Sequence, residues 1–450
     1  MSEQESAFDL QELFFSKTDQ KGIIESGNAV FVRVSEYTEE ELLRRPHNII
    51  RHEDMPRSVF KLFWTFLKEG KPIAAYVKNR SKNGKYYWVF AMAFPMRDGY
   101  LSIRLKPTSV YFAKVQELYK QVLAQEADGA TLEEGVALIQ QALRGFGFAS
   151  YDDFMKQALV EEIVSRDSLL KERIGHALRK AKSAQGNINE FAQLVDKCLT
   201  ATRQSFAKTR QMFVKMNDLV QESRAIVKTC RDVKFVTVNL TISSAKLGDA
   251  GKPLSVVSNN LERLTEEIAT ISANFEEIFQ NYEKSVFAMY SSIATSRFQI
   301  EMMKHLMDEH FQKNDAAGES TEAREKLLFF NSSLLMDLIG ANFNKVTTTS
   351  KELIQANKLL LSSIEALAKV TNGMGVIHVV GKIEMARTGS KSESLSARLQ
   401  EMEALTETFK KSLKNLESEC QSGLAMCSEL VQHNQTMTND LGKAGDLIAI

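Results

Sequence analysis

Only six prolines interrupt this 450-residue chain, and none follows Pro253. Glycine is also sparse at 22 residues. Proline and glycine punctuate turns, so their scarcity excludes a many-turned all-β fold and predicts long helices after that point. The four cysteines (Cys198, Cys230, Cys420 and Cys427) include no C-x-x-C pair. That gives no disulfide framework or zinc ribbon and favours each thiol as a small core hydrophobe over a metal or redox role. Neither sign of charge dominates: Lys+Arg and Asp+Glu both number 57. A nucleic-acid partner is excluded for want of a cationic field. No apolar run approaches the roughly 18 residues of a membrane span. Met1–Leu10 lack the basic and apolar regions of a signal peptide, so a cytoplasmic location is the expectation.

Enzyme signatures are missing too. The chain has no Walker loop, G-x-S-x-G or H-E-x-x-H, so no catalytic residue and no metal set is assigned and a non-enzyme is expected. His305 and His310, five positions apart, do not share a helical face and read as solvated residues. What is present is ordinary globular material, 44% hydrophobic and 25% charged, enough for two or three cooperative units.

Trp64, Trp88 and six of the ten tyrosines precede residue 113. Residues 1–107 therefore read as a compact α+β domain. Ile73–Asn79 and Tyr86–Pro95 are β-branched and aromatic, and Asn83-Gly84 between them is a hairpin-turn signal. Tyr100–Lys106 reads as a third strand. Thr38 and Glu41 form a capping box opening a short helix, and Asp54 is placed to cap a helix through Phe60 and Trp64 to Gly70. Val30–Val34 alternates like a strand, although so short a run is ambiguous by period.

The stretches Asn28–Tyr37, Pro46–Pro56 and Val77–Val89 resemble the PAS domain of bacterial aerotaxis receptors. The resemblance spans about residues 10–107. It implies a five-stranded antiparallel sheet with flanking helices, and it makes the segment after Asn28 a helix. In that family the cleft between helices and sheet holds FAD. Carried over by position, Arg51 and His52 would anchor phosphate or ribose with Asp54 orienting them. Asn28, Trp64, Asn79 and Tyr87 would complete the wall. Ile73 stands where the family has a tryptophan, which removes one aromatic face. The same residues also suit a PAS fold with no cofactor, or one holding haem.

Residues 108–184 read as connecting helices with a break near Arg144–Ser150. Beyond them Met212, Met216, Leu219, Ser223, Ile226, Cys230 and Val233 step by alternating four and three, a coiled-coil seam. Met402, Leu405, Phe409, Ser412, Leu416, Cys420 and Gly423 are read the same way. Breaks near 248–253 and 389–394 divide the region into two hairpins, 185–313 and 322–450. The pattern I-x-x-A-[K/R]-x-G occurs at Ile242–Gly248 and again 141 positions later at Ile383–Gly389, an internal duplication. Two hairpins in one chain predict a long antiparallel four-helix bundle in which the second replaces a partner subunit; a homodimer through the PAS domain or the bundle is the alternative.

Val238–Val257 resembles the signalling tip of methyl-accepting chemotaxis proteins. Asn239, Ile242, Ala245, Gly248, Gly251, Val256 and Val257 match that family's motif, and Lys246 stands for its arginine. Leu240, Thr241 and Ser243 depart from it. The resemblance implies a partner-binding tip formed by Asn239, Ile242, Lys246, Gly248 and Val256 with their counterparts Ile383, Arg387 and Gly389. The implied partner is a chemotaxis kinase, a coupling protein or another signalling protein. Together the two resemblances describe a redox or oxygen transducer; the alternative is a cofactor-free scaffold that localises partners.

Overall fold

The computed structural model describes residues 4–173, 187–246, 248–313, 321–387 and 393–448. The chain separates into two compact units. The first comprises Met1–Arg203, Ser291–Phe343 and Met437–Ile450; the second comprises Gln204–Tyr290 and Asn344–Thr436.

The first unit is built on a five-stranded antiparallel sheet of β1 (Phe14–Asp19), β2 (Ile24–Gly27), β3 (Ile73–Arg80), β4 (Tyr86–Met96) and β5 (Gly99–Leu105), ordered β2-β1-β5-β4-β3. The three strands expected at Ile73–Asn79, Tyr86–Pro95 and Tyr100–Lys106 are present, and Gly84 makes the β3–β4 turn with a φ of +85°, where a side chain would be strained. Between β2 and β3 run α1 (Ala29–Ser35), α2 (Glu39–Leu42), a 3-10 turn at His47–Ile50 and α3 (Arg57–Lys68). Val30–Val34 is helical because Asn28 caps it, its side chain accepting from Phe31 N. The Thr38–Glu41 capping box forms in full.

Asp54 does not cap α3. Its carboxylate is drawn to Lys78, 2.5 Å away, and the helix opens after Pro56. The free N–H groups of Arg57 and Ser58 instead donate to Glu126, at 2.9 and 2.8 Å. Glu126 lies near the end of α4 (Val110–Ala127), which continues through α5 (Leu132–Gly145) into α6 (Tyr151–Arg173).

An edge strand exposes unpaired backbone groups, and β3 is such an edge. Side chains from the neighbouring helices occupy those groups. Tyr151 Oη donates to Ala74 O (2.9 Å) and Tyr119 Oη to Tyr76 O (3.0 Å), while Ala74 N donates to Met155 Sδ (3.3 Å). Glu162 on α6 accepts from Tyr76 Oη (2.8 Å), Thr108 N (2.6 Å) and Ser109 N (3.1 Å). Burial raises its pKa against these donors. A second buried acid, Glu301, is held by Arg166 and Arg297. Burial alone would raise the Glu301 pKa, but the Arg166, Arg297 and Arg203 charges outweigh it and bring it down to about 2.

The long helices are α7 (Asn187–Ala245), α8 (Lys252–Lys313), α9 (Thr321–Arg387) and α10 (Glu393–Ile448), with a 3-10 turn at Gly248–Gly251 before α8. Within the second unit their segments pack as a bundle from a single chain. Phe213 meets Tyr290, Tyr282 is bonded by Asn357, Asn434 by Thr347, and Cys427 lies against Met212. These contacts join α7 to α8, α8 to α9, α9 to α10 and α10 to α7. The α7 seam from Met212 to Val233 is buried throughout. The α10 seam is displaced in part: Leu405 and Ser412 are half-buried, whereas Thr406 and Leu413 face the core. Stepping four, three, four from Met402 gives the observed register, so the displacement is a phase choice within one heptad. All four cysteines are buried, and burial pushes the Cys198, Cys420 and Cys427 thiols up to about 12. His310 is buried rather than solvated, and His305 stands 3.2 Å from Glu309.

Candidate functional site

Small side chains at the middle of the sheet leave room on one of its faces. Ser16 on β1, Ala91 and Ala93 on β4 and Ser102 on β5 form a floor against which the helices do not close. The result is a cavity of about 280 Å³, at the lower edge of the range for small-molecule sites. Phe60, Phe63, Trp64 and Leu67 of α3 supply its apolar wall, and Tyr100 meets Trp64 edge-on at 5.4 Å. Gly22, with a φ of +78°, lies beneath the indole; a Cβ there would come within 3.1 Å of Trp64.

The polar part of the cavity centres on Arg104. It is 4% exposed, and its Nη2 donates to Ser16 Oγ and to His47 Nε2, each at 2.7 Å. Its Nη1 is buried without a hydrogen-bond partner. No carboxylate pairs with the guanidinium among the described residues, and burial lowers its pKa to about 10, which still leaves it charged near neutral pH. His47 is pushed down to about 3, first by burial and then by the Arg104 charge, so its ring is neutral and Nε2 accepts. Arg51 also lines the cavity, with its guanidinium 4.4 Å from the Phe60 ring and Nη2 donating to Met55 O (2.9 Å).

Of the seven residues carried over by position, Arg51, Trp64 and Asn79 line this cavity. The other four have different partners. Asn28 accepts from Phe15 N (2.9 Å) and donates to Leu13 O (2.8 Å) and Glu309 Oε1 (2.7 Å). His52 accepts from Asp54 N at 3.0 Å, and Asp54 pairs with Lys78. Tyr87 is buried with its ring stacked on Phe14 (5.7 Å), and its hydroxyl has no hydrogen-bond partner. Ile73 is fully buried and outside the cavity lining. Position-matching passed over Arg104, His47 and Ser16. The available signal was a cation set between Ile103 and Leu105 in a strand otherwise free of charge.

At the bundle tip Ile242, Lys246, Gly248, Val256, Ile383 and Arg387 are exposed and Asn239 is half-buried. Arg387 pairs with Glu384 at 3.0 Å. Gly389 lies outside the described residues. Leu240, one of the departures from the chemoreceptor pattern, faces the core at 1% exposure, and Ser243 is half-buried. The bulk at Leu240 is therefore absorbed by bundle packing. Among the described residues no helix is long and apolar enough to cross a membrane, and no group of three His, Cys, Asp or Glu could hold a metal ion.

The PAS fold family matches residues 25–101. With the strand order above, that settles the head: it is a PAS domain. Over 114 residues the chain is 46% identical to the aerotaxis receptor of Escherichia coli K12, a match covering 24% of this chain and 22% of that one. It is 25% identical over 138 residues to the biofilm dispersion protein BdlA of Pseudomonas aeruginosa, covering 30% and 33%. A solved PAS domain from Colwellia psychrerythraea is 17% identical, covering 21% of this chain and 85% of that one with a TM-score of 0.19. The chain thus spans between a fifth and a third of the length of these two relatives.

Proposed function

We propose that this protein is a non-enzymatic sensory transducer of the aerotaxis or chemotaxis kind, whose PAS domain holds a flavin, FAD by its resemblance to aerotaxis receptors. The observation that carries the reading is Arg104: a buried cation with no carboxylate partner among the described residues and both N–H groups of Nη1 unsatisfied, facing a cavity walled by Trp64 and Phe60. A buried charge without a counter-ion is costly, so its presence here fits a site completed by an acceptor-rich ring system. A bound flavin would supply reversible electron transfer. Arg104 and Ser16 would hold its acceptor edge, Asn79 would offer a further polar contact, and Trp64 would cover its apolar face. Arg51 and Asn48, which also line the cavity, would meet a phosphate tail leaving a cavity too small for a dinucleotide. Asn28, His52, Asp54 and Tyr87 would shape the site from behind, by fixing α1, the β3 edge and the sheet.

The state of the site would reach the helices through groups already bonded to them. Glu126 seats the start of α3, and Glu309 seats the start of α1. Such a relay requires a packed element whose two arrangements the ligand stabilises differently. Its output would be read at the tip, by a chemotaxis kinase, a coupling protein or another signalling protein meeting Asn239, Ile242, Lys246, Gly248 and Val256 together with Ile383, Arg387 and Gly389. The absorption spectrum of the purified full-length protein tests the reading. Flavin bands that shift on reduction, with FAD released on denaturation, are the expected result. A colourless protein that gains no bands when incubated with FAD overturns it in favour of a cofactor-free scaffold.

A further inference from the structure

The internal duplication extends beyond the tip motif into the exposed surface. On α7, Phe235, Val238 and Ile242 are 65%, 43% and 50% exposed. On α9, the residues 141 positions later are Val376, Val379 and Ile383, at 65%, 54% and 48%. Each set advances by three and then four, so each forms one apolar stripe on one helical face. Both copies retain large apolar residues in water, which burial within the bundle does not explain.

The copies differ in charge. Continuing the α7 face away from the tip by the same steps gives Arg231, Lys228 and Arg224, all exposed. Lys234 adjoins them, and Asp232 is the one carboxylate between Arg224 and Lys246. None of these cations is ion-paired among the described residues. At the matching places α9 carries Asn372, Lys369 and Glu365, and Lys369 is paired to Glu365 at 3.0 Å. The remaining cations of α9 near its stripe are paired as well, Lys382 to Glu403 (2.8 Å) and Arg387 to Glu384 (3.0 Å). One stripe is thus half apolar and half cationic, while its duplicate is apolar and neutral.

We infer that the α7 face formed by Arg224, Lys228, Arg231, Phe235, Val238 and Ile242 docks an amphipathic helix of another protein, one whose apolar seam is flanked by carboxylates, and that the α9 face does not accept it. Six positions at heptad spacing extend about 27 Å, enough for roughly five turns of a partner helix. Apolar contact supplies the affinity, and the unpaired cations select the acidic partner and orient it. This deepens the transducer reading, since it names the chemistry of the partner at the signalling end.

The test uses the full-length protein and a labelled helical peptide of about 20 residues with a leucine seam flanked by glutamates, beside a twin with lysines in their place. The glutamate peptide should bind at least about tenfold more tightly, and more weakly as salt is raised. K228E/R231E and, separately, Phe235→Ser should each weaken it at least about tenfold, whereas Val376→Ser should leave it within about twofold. All these positions are exposed, so circular dichroism should be unchanged in every variant. Equal binding of both peptides, or an equal loss on Val376→Ser, overturns the inference. Self-association of the chain that K228E/R231E abolishes would overturn it in favour of a second copy. Flavin content measured on the same samples keeps the two readings apart: a flavin-loaded protein whose α7 face takes neither peptide refutes the docking stripe alone.

Discussion

Asn28 and Glu309 lie 281 positions apart in sequence, yet Asn28 Nδ2 donates to Glu309 Oε1 at 2.7 Å while Glu309 Oε2 accepts from Ala29 N at 3.2 Å. The acid sits on the N-terminus of α1, where the helix dipole favours it, and Asn28 binds the same helix through Phe31 N. A carboxylate on α8 therefore closes a cap on the PAS domain. Glu309→Ala should cost the first unit about 1–3 kcal/mol, because it removes two charge-assisted bonds. Glu309→Gln, which keeps one acceptor, should cost less than half of that. Both tryptophans, Trp64 and Trp88, belong to this unit, so urea unfolding followed by tryptophan fluorescence reads it selectively. Equal stability of Glu309→Ala and the parent would remove the coupling.

Arg104 makes the opposite prediction for the ligand-free protein. Arg104→Met removes a buried unpaired charge, and Ser16 Oγ, 3.3 Å from His47 Nε2, can then donate to the imidazole in its place. The ligand-free variant should be as stable as the parent or more so, by about 1–3 kcal/mol. Flavin affinity should fall by about 1.5–3 kcal/mol, roughly ten- to hundredfold. Arg104→Lys should not rescue it, since an ammonium cannot reproduce the planar fork. A variant that unfolds more easily yet binds flavin normally would mean that the guanidinium serves packing alone.

The pH dependence follows from His47. Its imidazole stays neutral in the folded protein down to about pH 3, whereas the unfolded chain protonates it near 6.5. Between those values the unfolded state binds more protons, so stability rises with pH. The contribution is complete above about 6.5 and drains away as the pH falls toward 3, at up to about 1.4 kcal/mol per unit. Urea midpoints read by tryptophan fluorescence should drop on acidification from neutral pH. His47→Gln, whose amide oxygen can still accept from Arg104, should flatten that part of the profile. A parallel drop in both proteins would assign the acid sensitivity to other groups.

What could be read from the residues was local. The Asn83-Gly84 turn, the Thr38–Glu41 box and the α7 heptad each depend on neighbours within a few positions, and each is present. Asp54 defeated that logic because Lys78 lies on a strand 24 positions away. The α10 seam slipped at Leu405 and Ser412 because two phases of one heptad offer similar apolar content, and only packing against Tyr282 and Met212 chooses between them. Arg104, His47 and Ser16 come from three separate segments, so no spacing announces them. Asn28 and Tyr87, carried over by position as part of a cofactor wall, lie outside the cavity lining, and the bond of Asn28 to Glu309 and the stacking of Tyr87 on Phe14 are tertiary facts that no local pattern announces.

Gly423 offers the sharpest check of the bundle. It sits in the α10 seam opposite Tyr282, where an added Cβ would stand 2.9 Å from the hydroxyl and 3.2 Å from Asn357 Oδ1. Tyr282 is buried, and Asn357 donates to its hydroxyl at 3.1 Å, so the ring has little room to retreat. Replacing a helical glycine by alanine ordinarily gains about 1 kcal/mol. Overpacking a closed core costs about 1–3 kcal/mol, so the clash should win at Gly423. At Gly340 on α9 an added Cβ would meet nothing within 4 Å, and there the propensity gain stands alone. Thermal unfolding followed by circular dichroism should therefore move down for Gly423→Ala and up for Gly340→Ala. A rise for both would show that α10 does not approach Tyr282 this closely, and the single-chain packing of the four helices would have to be redrawn.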